Sequence, residues 1–219
     1  MTKSLERTNR LVLAAAFAAI AYLCMFLLPI KVSFLTLDIK DSVIAIGALY
    51  LGPVAGILIS AVVALVEMVT VSQTGIYGFF MNFLGSAVFS ATVSLFYTRQ
   101  KSLKRALLGL ICSIAAMTSV MLAFNLIVTP VYLGQPRQAI IDMILPLLLP
   151  FNLGKGILNA ALTMLLYKPI SIALGHTSFS LHVSSTAPKK KNTYIVAGCS
   201  ILLIAAVLLY FFIKMGATV

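Results

Sequence analysis

The chain has 219 residues, of which 61% are hydrophobic and 10% are charged, and its mean hydropathy is +1.09. Soluble domains carry about a quarter charged residues, so this composition excludes a soluble globular protein and predicts an integral membrane protein with room for about six or seven helical spans. The net charge of +11 does not indicate nucleic-acid binding, because the basic residues cluster at the ends of apolar runs rather than in a patch interleaved with aromatics.

Four helices are predicted in the first half of the chain. The first span covers about residues 11–28, and its apolar run continues past a possible signal-peptide cleavage site, so we interpret it as a retained span. The apolar stretch at 42–70 is too long for one untilted span and is interrupted by "GPVAG". It predicts a short second helix of about ten residues and a third from Pro53 to about Val69, because proline is tolerated in the first turn of a helix. A fourth span is predicted at 79–97.

Three further spans are predicted in the second half, at 106–128, 151–174 and 194–213. The segment at 130–150 contains an amphipathic piece, "QAIIDMILPLLL", that is too short to cross a bilayer and is interpreted as an interfacial or lid segment. The predicted organisation is a six-helix membrane domain at 1–174, a polar cytoplasmic linker at 175–193 and an additional transmembrane helix at 194–214.

The distribution of Lys and Arg predicts the orientation in the cell membrane. Eleven of these residues lie in segments on one side of the predicted spans, whereas Lys31, Lys40, Arg137 and Lys214 lie on the other. By the positive-inside rule, the N-terminus is expected in the cytoplasm and the C-terminus outside.

Five polar residues are predicted at membrane depth, where such side chains are rare and indicate function. Two of them are ionisable, Glu67 and Lys155, and the others are Asn82, Asn125 and Asn152. The predicted orientation places all five in the outer third of the membrane, on four different helices, which indicates a pocket open to the outside. The alternative is that the asparagines only join helices to one another, each contributing about 0.6 kcal/mol.

The sequence contains no motif for bond-breaking chemistry. "LGKG" fails the P-loop pattern because Leu149 stands where the first glycine should be and Gly156 where Ser or Thr should be. No Ser/His/Asp set, HExxH motif or pair of intramembrane aspartates is present, and the three isolated cysteines indicate packing rather than a metal site or a disulfide framework. Amide groups with one lysine suit recognition of a neutral or weakly polar ligand better than catalysis, so no enzyme is expected.

Five stretches resemble the substrate-binding S components of energy-coupling factor (ECF) vitamin transporters, of the riboflavin-specific kind. They are "LTLDIKD", "YLGPVAG", "MNFLGSAVF", "AMTSVMLAFNLIVTPVY" and "LPFNLGKGIL", which together with the first span cover roughly residues 8–170. The resemblance implies an all-α six-helix bundle with an outward-facing vitamin pocket, to which this chain adds a C-terminal helix. It also implies that riboflavin is a transported ligand rather than a cofactor, and that flavin is bound by Asn125, Asn152 and Lys155, with Asn82, Leu37 and Asp38 as further candidates.

The first span carries small residues four positions apart, in the pairs Ala14 and Ala18 or Ala15 and Ala19. Such spacing lets helix backbones approach closely, and ordinary packing inside the bundle is one explanation. The resemblance implies another, in which this face docks on the transmembrane T protein of an energising module that also contains two ABC ATPases.

Two features depart from the resemblance: the additional helix, whose role the sequence leaves open, and Glu67. We hypothesise that Glu67 pairs with Lys155, because both are expected at similar depth. The favoured interpretation is a riboflavin-binding subunit. The alternatives are an S component for a different vitamin or, from other classes, an intramembrane enzyme or a structural scaffold.

Overall fold

The structure, a computed structural model, describes residues 3–27, 29–99, 101–175 and 190–216, and the predicted polar linker lies largely outside these ranges. Six of the described helices are long and apolar enough to cross a membrane, so the chain is a multi-pass membrane protein. The elements in chain order are α1 (Lys3–Leu27), β1 (Ile30–Val32), β2 (Leu35–Leu37), α2 (Lys40–Leu51), α3 (Pro53–Thr70), α4 (Gly75–Arg99), α5 (Leu103–Leu133), α6 (Arg137–Asp142), a π-helical turn (Ile144–Leu148), α7 (Leu149–Gly175) and α8 (Lys190–Gly216).

The predicted helices are confirmed, and several of them are longer than their apolar runs, as α1 and α5 show. α1 begins at Lys3, because a helix that projects out of the membrane needs no apolar side chains. α5 continues through Pro130 to Leu133, although the sequence predicts its end near Val128. A proline so close to the helix end removes few hydrogen bonds, and the stop signal is Gly134, which has φ 63° at the C-cap.

A β-hairpin, which the sequence analysis did not predict, follows α1. β1 and β2 are antiparallel with Ile30 opposite Leu37, and Ser33 in the turn has φ 58°. Strands of three residues are too short to show the period-2 alternation that identifies a strand in sequence. We call the end of the bundle that carries this hairpin the hairpin end.

The short helix α2 lies at the centre of the bundle. Every residue of α2 except Tyr50 is buried, and the helix contacts α1, α3, α4 and α7. A helix that is apolar along most of its circumference is stable only when other elements surround it. The chain then reverses at Gly52, whose φ of 101° suits glycine, and Pro53 begins α3.

Close packing at Gly56 holds three helices together. A Cβ at Gly56 in α3 would lie 2.6 Å from the Cβ of Ala48 in α2 and 3.0 Å from Oγ of Ser90 in α4. Because Gly56 has no side chain, α2, α3 and α4 can pack closely together at this point.

We predict that Gly56→Ala lowers the free energy of unfolding by about 1–3 kcal/mol, because the added methyl overpacks this contact. The matched control is Gly198→Ala in α8, where a Cβ would meet no heavy atom within 4 Å. The measurement is the thermal unfolding midpoint in detergent. Equal midpoints for the two variants would contradict the prediction.

Candidate functional site

A cavity of about 450 Å³ lies at the hairpin end of the bundle. Pockets for small-molecule ligands fall in this size range. The hairpin forms part of its wall, together with the adjoining ends of α1, α2, α3, α4, α5 and α7. The predicted convergence of five polar residues is confirmed, since all of them line this cavity: Glu67, Asn82, Asn125, Asn152 and Lys155.

Asn125 and Asn152 are buried, at 0% and 3% exposure. Asn125 donates from Nδ2 to the carbonyl of Met121 at 2.7 Å and accepts at Oδ1 from Thr129 Oγ1 at 2.8 Å. Asn152 donates from Nδ2 to the carbonyl of Leu148 at 2.8 Å. The bonds of Asn125 stay within α5, and that of Asn152 reaches the last residue of the π-helical turn directly before α7, so neither joins separate spans. Because an amide has two N–H donors and two oxygen lone pairs, each side chain retains a donor and an acceptor for a ligand.

A cluster of five charged residues, four of which line the cavity, forms what we call the charge network: Asp38, Lys40, Asp41, Glu67 and Lys155. It contains three of the chain's five acidic residues. Lys155 Nζ lies 3.0 Å from Asp38 Oδ2 and 3.6 Å from Asp41 Oδ2. Lys40 Nζ lies 2.6 Å from Glu67 Oε2 and 3.7 Å from Asp38 Oδ2. Asp38 therefore links the two lysines, and the network connects α2, α3 and α7.

The hypothesis that Glu67 pairs with Lys155 is wrong. Glu67 instead accepts from Lys40 Nζ at 2.6 Å and from Asn82 Nδ2 at 2.8 Å. Lys40 was counted among the basic residues outside the predicted spans, but it is the first residue of the enclosed helix α2 and is 1% exposed. Lys40 is therefore close enough to neutralise Glu67, and Lys155 is paired by the two aspartates.

Asp38 precedes α2 and lies outside the candidate membrane spans. Burial alone would raise the pKa of its carboxyl group, but the ammonium groups of Lys155 and Lys40 outweigh this effect. The pKa of Asp38 is held below its ordinary value by these charges and by hydrogen bonds from the Lys155 ammonium and the Lys40 backbone N–H. Asp38 is therefore an anion at neutral pH, and it fixes the position of the Lys155 ammonium.

Four polar residues that support this site were missed as site residues in the sequence analysis: Lys40, Asp41, Ser86 and Asn159. Ser86 donates to Oδ1 of Asp41. Asn159 accepts from the Ser42 backbone N–H at 2.8 Å and donates to the carbonyls of Asp38 and Lys155, both at 3.0 Å. A signal was present, because "LDIKD" places two acids around a lysine directly before an apolar helix.

Of the two remaining predicted site residues, one lines the cavity and the other does not. Asp38 lines the cavity, but the side chain of Leu37 does not. Leu37 is 0% exposed and packs with Phe151 and Leu158 in an apolar cluster. A ligand-binding role for Leu37 stays a prediction. Such a role would be indirect, through its packing against Phe151, which lines the cavity.

Of the two predicted docking pairs in α1, one faces the bundle and the other is exposed. Ala14 and Ala18 pack against the interior of the bundle, where Ala18 is 8% exposed. Ala15 and Ala19 are exposed on the outer side of α1. Only the second pair is accessible to a partner, and its docking role stays a prediction.

The comparisons with known proteins agree on one kind of relative. A family model described as "ECF transporter, substrate-specific component" matches residues 9–167. Over 177 residues, the chain is 29% identical to the riboflavin transporter RibU of Staphylococcus aureus (strain TCH60). The alignment covers 77% of this chain and 93% of that protein. Over 173 residues, it is 27% identical to the riboflavin transporter FmnP of Bacillus subtilis (strain 168), covering 74% and 91%.

The fold is similar to a solved structure of the S component of a bacterial ECF transporter. The TM-score is 0.66 and the sequence identity is 31%, and the match covers 77% of this chain and 98% of that one. The predicted fold class, a six-helix S-component bundle with an additional C-terminal helix, is confirmed.

We predict that Lys40→Met lowers the free energy of unfolding by about 3 kcal/mol or more, because it leaves the Glu67 carboxylate without its buried cation. The matched control is Lys31→Met, which removes an exposed lysine of the hairpin and should change stability by less than about 0.5 kcal/mol. Thermal unfolding without ligand measures both effects. Adding Glu67→Gln to Lys40→Met should recover part of the loss, and a Lys40 variant as stable as the Lys31 variant would contradict the prediction.

Proposed function

We propose that this chain, which belongs to the family of ECF transporter substrate-specific components, binds riboflavin and serves in its uptake across the cell membrane. One observation carries the proposal: Asn125, Asn152 and Lys155 line a single cavity in a chain whose relatives include two riboflavin transporters. The chain is a transport component rather than an enzyme, and riboflavin is its cargo.

The cavity wall has groups that suit both ends of a flavin. The pyrimidine edge of the isoalloxazine ring alternates donors and acceptors, and a carboxamide can match both because it offers C=O and NH₂ together. Asn82 donates to Glu67, so its carbonyl oxygen is directed away from that carboxylate and is available to a ligand donor. Lys155 supplies a charged donor to a carbonyl or ribityl oxygen.

Apolar residues on the same wall suit the dimethylbenzene end of the flavin. They include Met81, Met117, Met121, Val128 and Phe151. Methionine side chains are flexible and polarisable and make favourable contacts with aromatic rings. A pocket that is mostly apolar, with a few placed polar groups, is the usual arrangement for a ligand of this kind.

The orientation and the partners form part of the proposal. The N-terminus lies in the cytoplasm and the C-terminus outside, so that the cavity at the hairpin end opens to the outside, in agreement with the distribution of Lys and Arg. A transmembrane T protein and two ABC ATPases supply the energy by hydrolysing ATP. The exposed pair Ala15 and Ala19 in α1 contacts the T protein.

Purification from cells grown with riboflavin tests the ligand directly. We expect a visible flavin spectrum close to stoichiometric with the protein, and quenching of added riboflavin fluorescence by the ligand-free protein. Absence of both would overturn the riboflavin proposal. Binding of a different vitamin in the same assay would instead favour an S component of other specificity.

We predict that Asn152→Ala and Lys155→Met each weaken riboflavin binding about tenfold or more, because each leaves a buried ligand group without its hydrogen bond. The matched control for the amide is Asn9→Ala in the first turns of α1, far along the chain from the hairpin end. Fluorescence titration gives the Kd values. A Kd for Asn152→Ala equal to that of Asn9→Ala would show that this amide does not contact the flavin.

We also predict that the double variant Ala15→Leu and Ala19→Leu retains riboflavin binding but loses ATP-dependent uptake, because two larger side chains keep a partner helix at a distance. Ala115→Leu, at an exposed position of α5, is the matched control and should support normal uptake. The measurements are riboflavin titration of the isolated chain and uptake in cells that supply the partners. Normal uptake by the double variant would exclude this face as the docking surface.

A further inference from the structure

We infer that α8 is a clamp that fixes the first turns of α7 and thereby positions Asn152 and Lys155 for the ligand. The term clamp refers to the contacts of Val207, Phe211 and Lys214. The effect on ligand binding rests on the proposed function, whereas the mechanical role does not. The matched family region ends at residue 167 and α8 begins at Lys190, so α8 lies outside it.

The main contact is the fit of Phe211 against Gly154. Phe211 is 1% exposed, and a Cβ added at Gly154 would lie 2.6 Å from Cε2 of its ring. Gly154 thus leaves the space that the ring occupies. In α7 this glycine lies between Asn152 and Lys155, so the contact is made at the height of the two predicted ligand-binding residues.

The same ring also reaches the cavity wall through one intermediate side chain. Phe211 packs edge to face against Phe151, with ring centroids 6.0 Å apart, and Phe151 lines the cavity. Val207 and Phe211 belong to one apolar cluster with Val32 and Leu37 of the hairpin. α8 therefore packs against α7 and shares one apolar cluster with the hairpin.

A polar contact joins α8 to the π-helical turn directly before α7. Pro150 has no N–H to donate to the carbonyl of Pro146, four residues earlier. Lys214 of α8 donates from Nζ to this carbonyl. Pro150 cannot make the i→i−4 bond to this carbonyl, so the Lys214 ammonium is a side-chain donor from α8 at this place.

These contacts matter because the entry into α7 is irregular. The π-helical turn Ile144–Leu148 precedes α7, and Asn152 donates to the carbonyl of Leu148 at its end. Movement of this turn would move the Asn152 amide directly. The clamp meets the chain at Gly154, through Phe211 and Val207, and at Pro146, through Lys214, which lie on either side of Asn152 in the sequence.

Adjacent phenylalanines provide a matched test, because Phe211 is 1% exposed and Phe212 is 79% exposed. We expect Phe211→Ala to weaken riboflavin binding about tenfold, equal to about 1.4 kcal/mol, and Phe212→Ala to leave the Kd unchanged. Phe211→Leu should retain most of the affinity, because leucine still fills much of the space beside Gly154. Hydrogen exchange without ligand should be faster in residues 149–158 for Phe211→Ala than for Phe212→Ala.

Gly154→Ala provides a second approach if Phe211→Ala does not fold. The added methyl displaces the Phe211 ring, so riboflavin binding should weaken and hydrogen exchange without ligand should become faster in residues 149–158. Wild-type Kd and wild-type exchange in a folded Gly154→Ala would count against the clamp. Equal Kd values and equal exchange in Phe211→Ala and Phe212→Ala would overturn the clamp. If the wild-type chain does not bind riboflavin, the proposed function fails and the exchange comparison alone decides whether the clamp exists.

Discussion

The buried charge network is the interaction on which the rest of the structure depends. Asp38 accepts from Lys155 and approaches Lys40, and Lys40 in turn pairs with Glu67. These contacts join the start of α2 to α3 and α7. Removing each ion from water costs several kcal/mol, and only pairing with an opposite charge offsets that cost, so an arrangement that leaves one of these ions alone is strongly disfavoured. The network therefore specifies the mutual position of the three helices more than it adds to total stability.

The polar part of the cavity wall consists of residues of this network together with the amides of Asn125 and Asn152. The amides of Asn125 and Asn152 bond to backbone carbonyls four residues earlier in the chain, which fixes their rotamers while leaving one donor and one acceptor on each for a ligand. Lys155 is held by two aspartates rather than by the ligand. Little side-chain entropy then has to be lost when a ligand binds, which is the advantage of a preorganised site.

Hydropathy predicted the helices well, because a bilayer requires about 20 apolar residues for each span. The convergence of Asn82, Asn125 and Asn152 was also predictable, since the order of the spans determines the depth of each residue. The partner of Glu67 was not, because pairing depends on side-chain directions in three dimensions. Lys40 lies 27 positions from Glu67 in the chain, and its position outside the predicted spans gave no sign that the start of α2 is enclosed.

The residues of "LPFNLGKG" show how one short segment combines several constraints. Pro150 lacks a donor for the Pro146 carbonyl, and Lys214 donates to it. Gly154 leaves space for Phe211 on the α8 side, whereas Asn152 and Lys155 line the cavity on the other side. A larger side chain at residue 154 would displace Phe211 of α8. An apolar side chain at residue 152 or 155 would remove a polar group from the cavity wall. The segment therefore needs small and polar residues on different faces of one helix, which explains a composition that hydropathy alone does not.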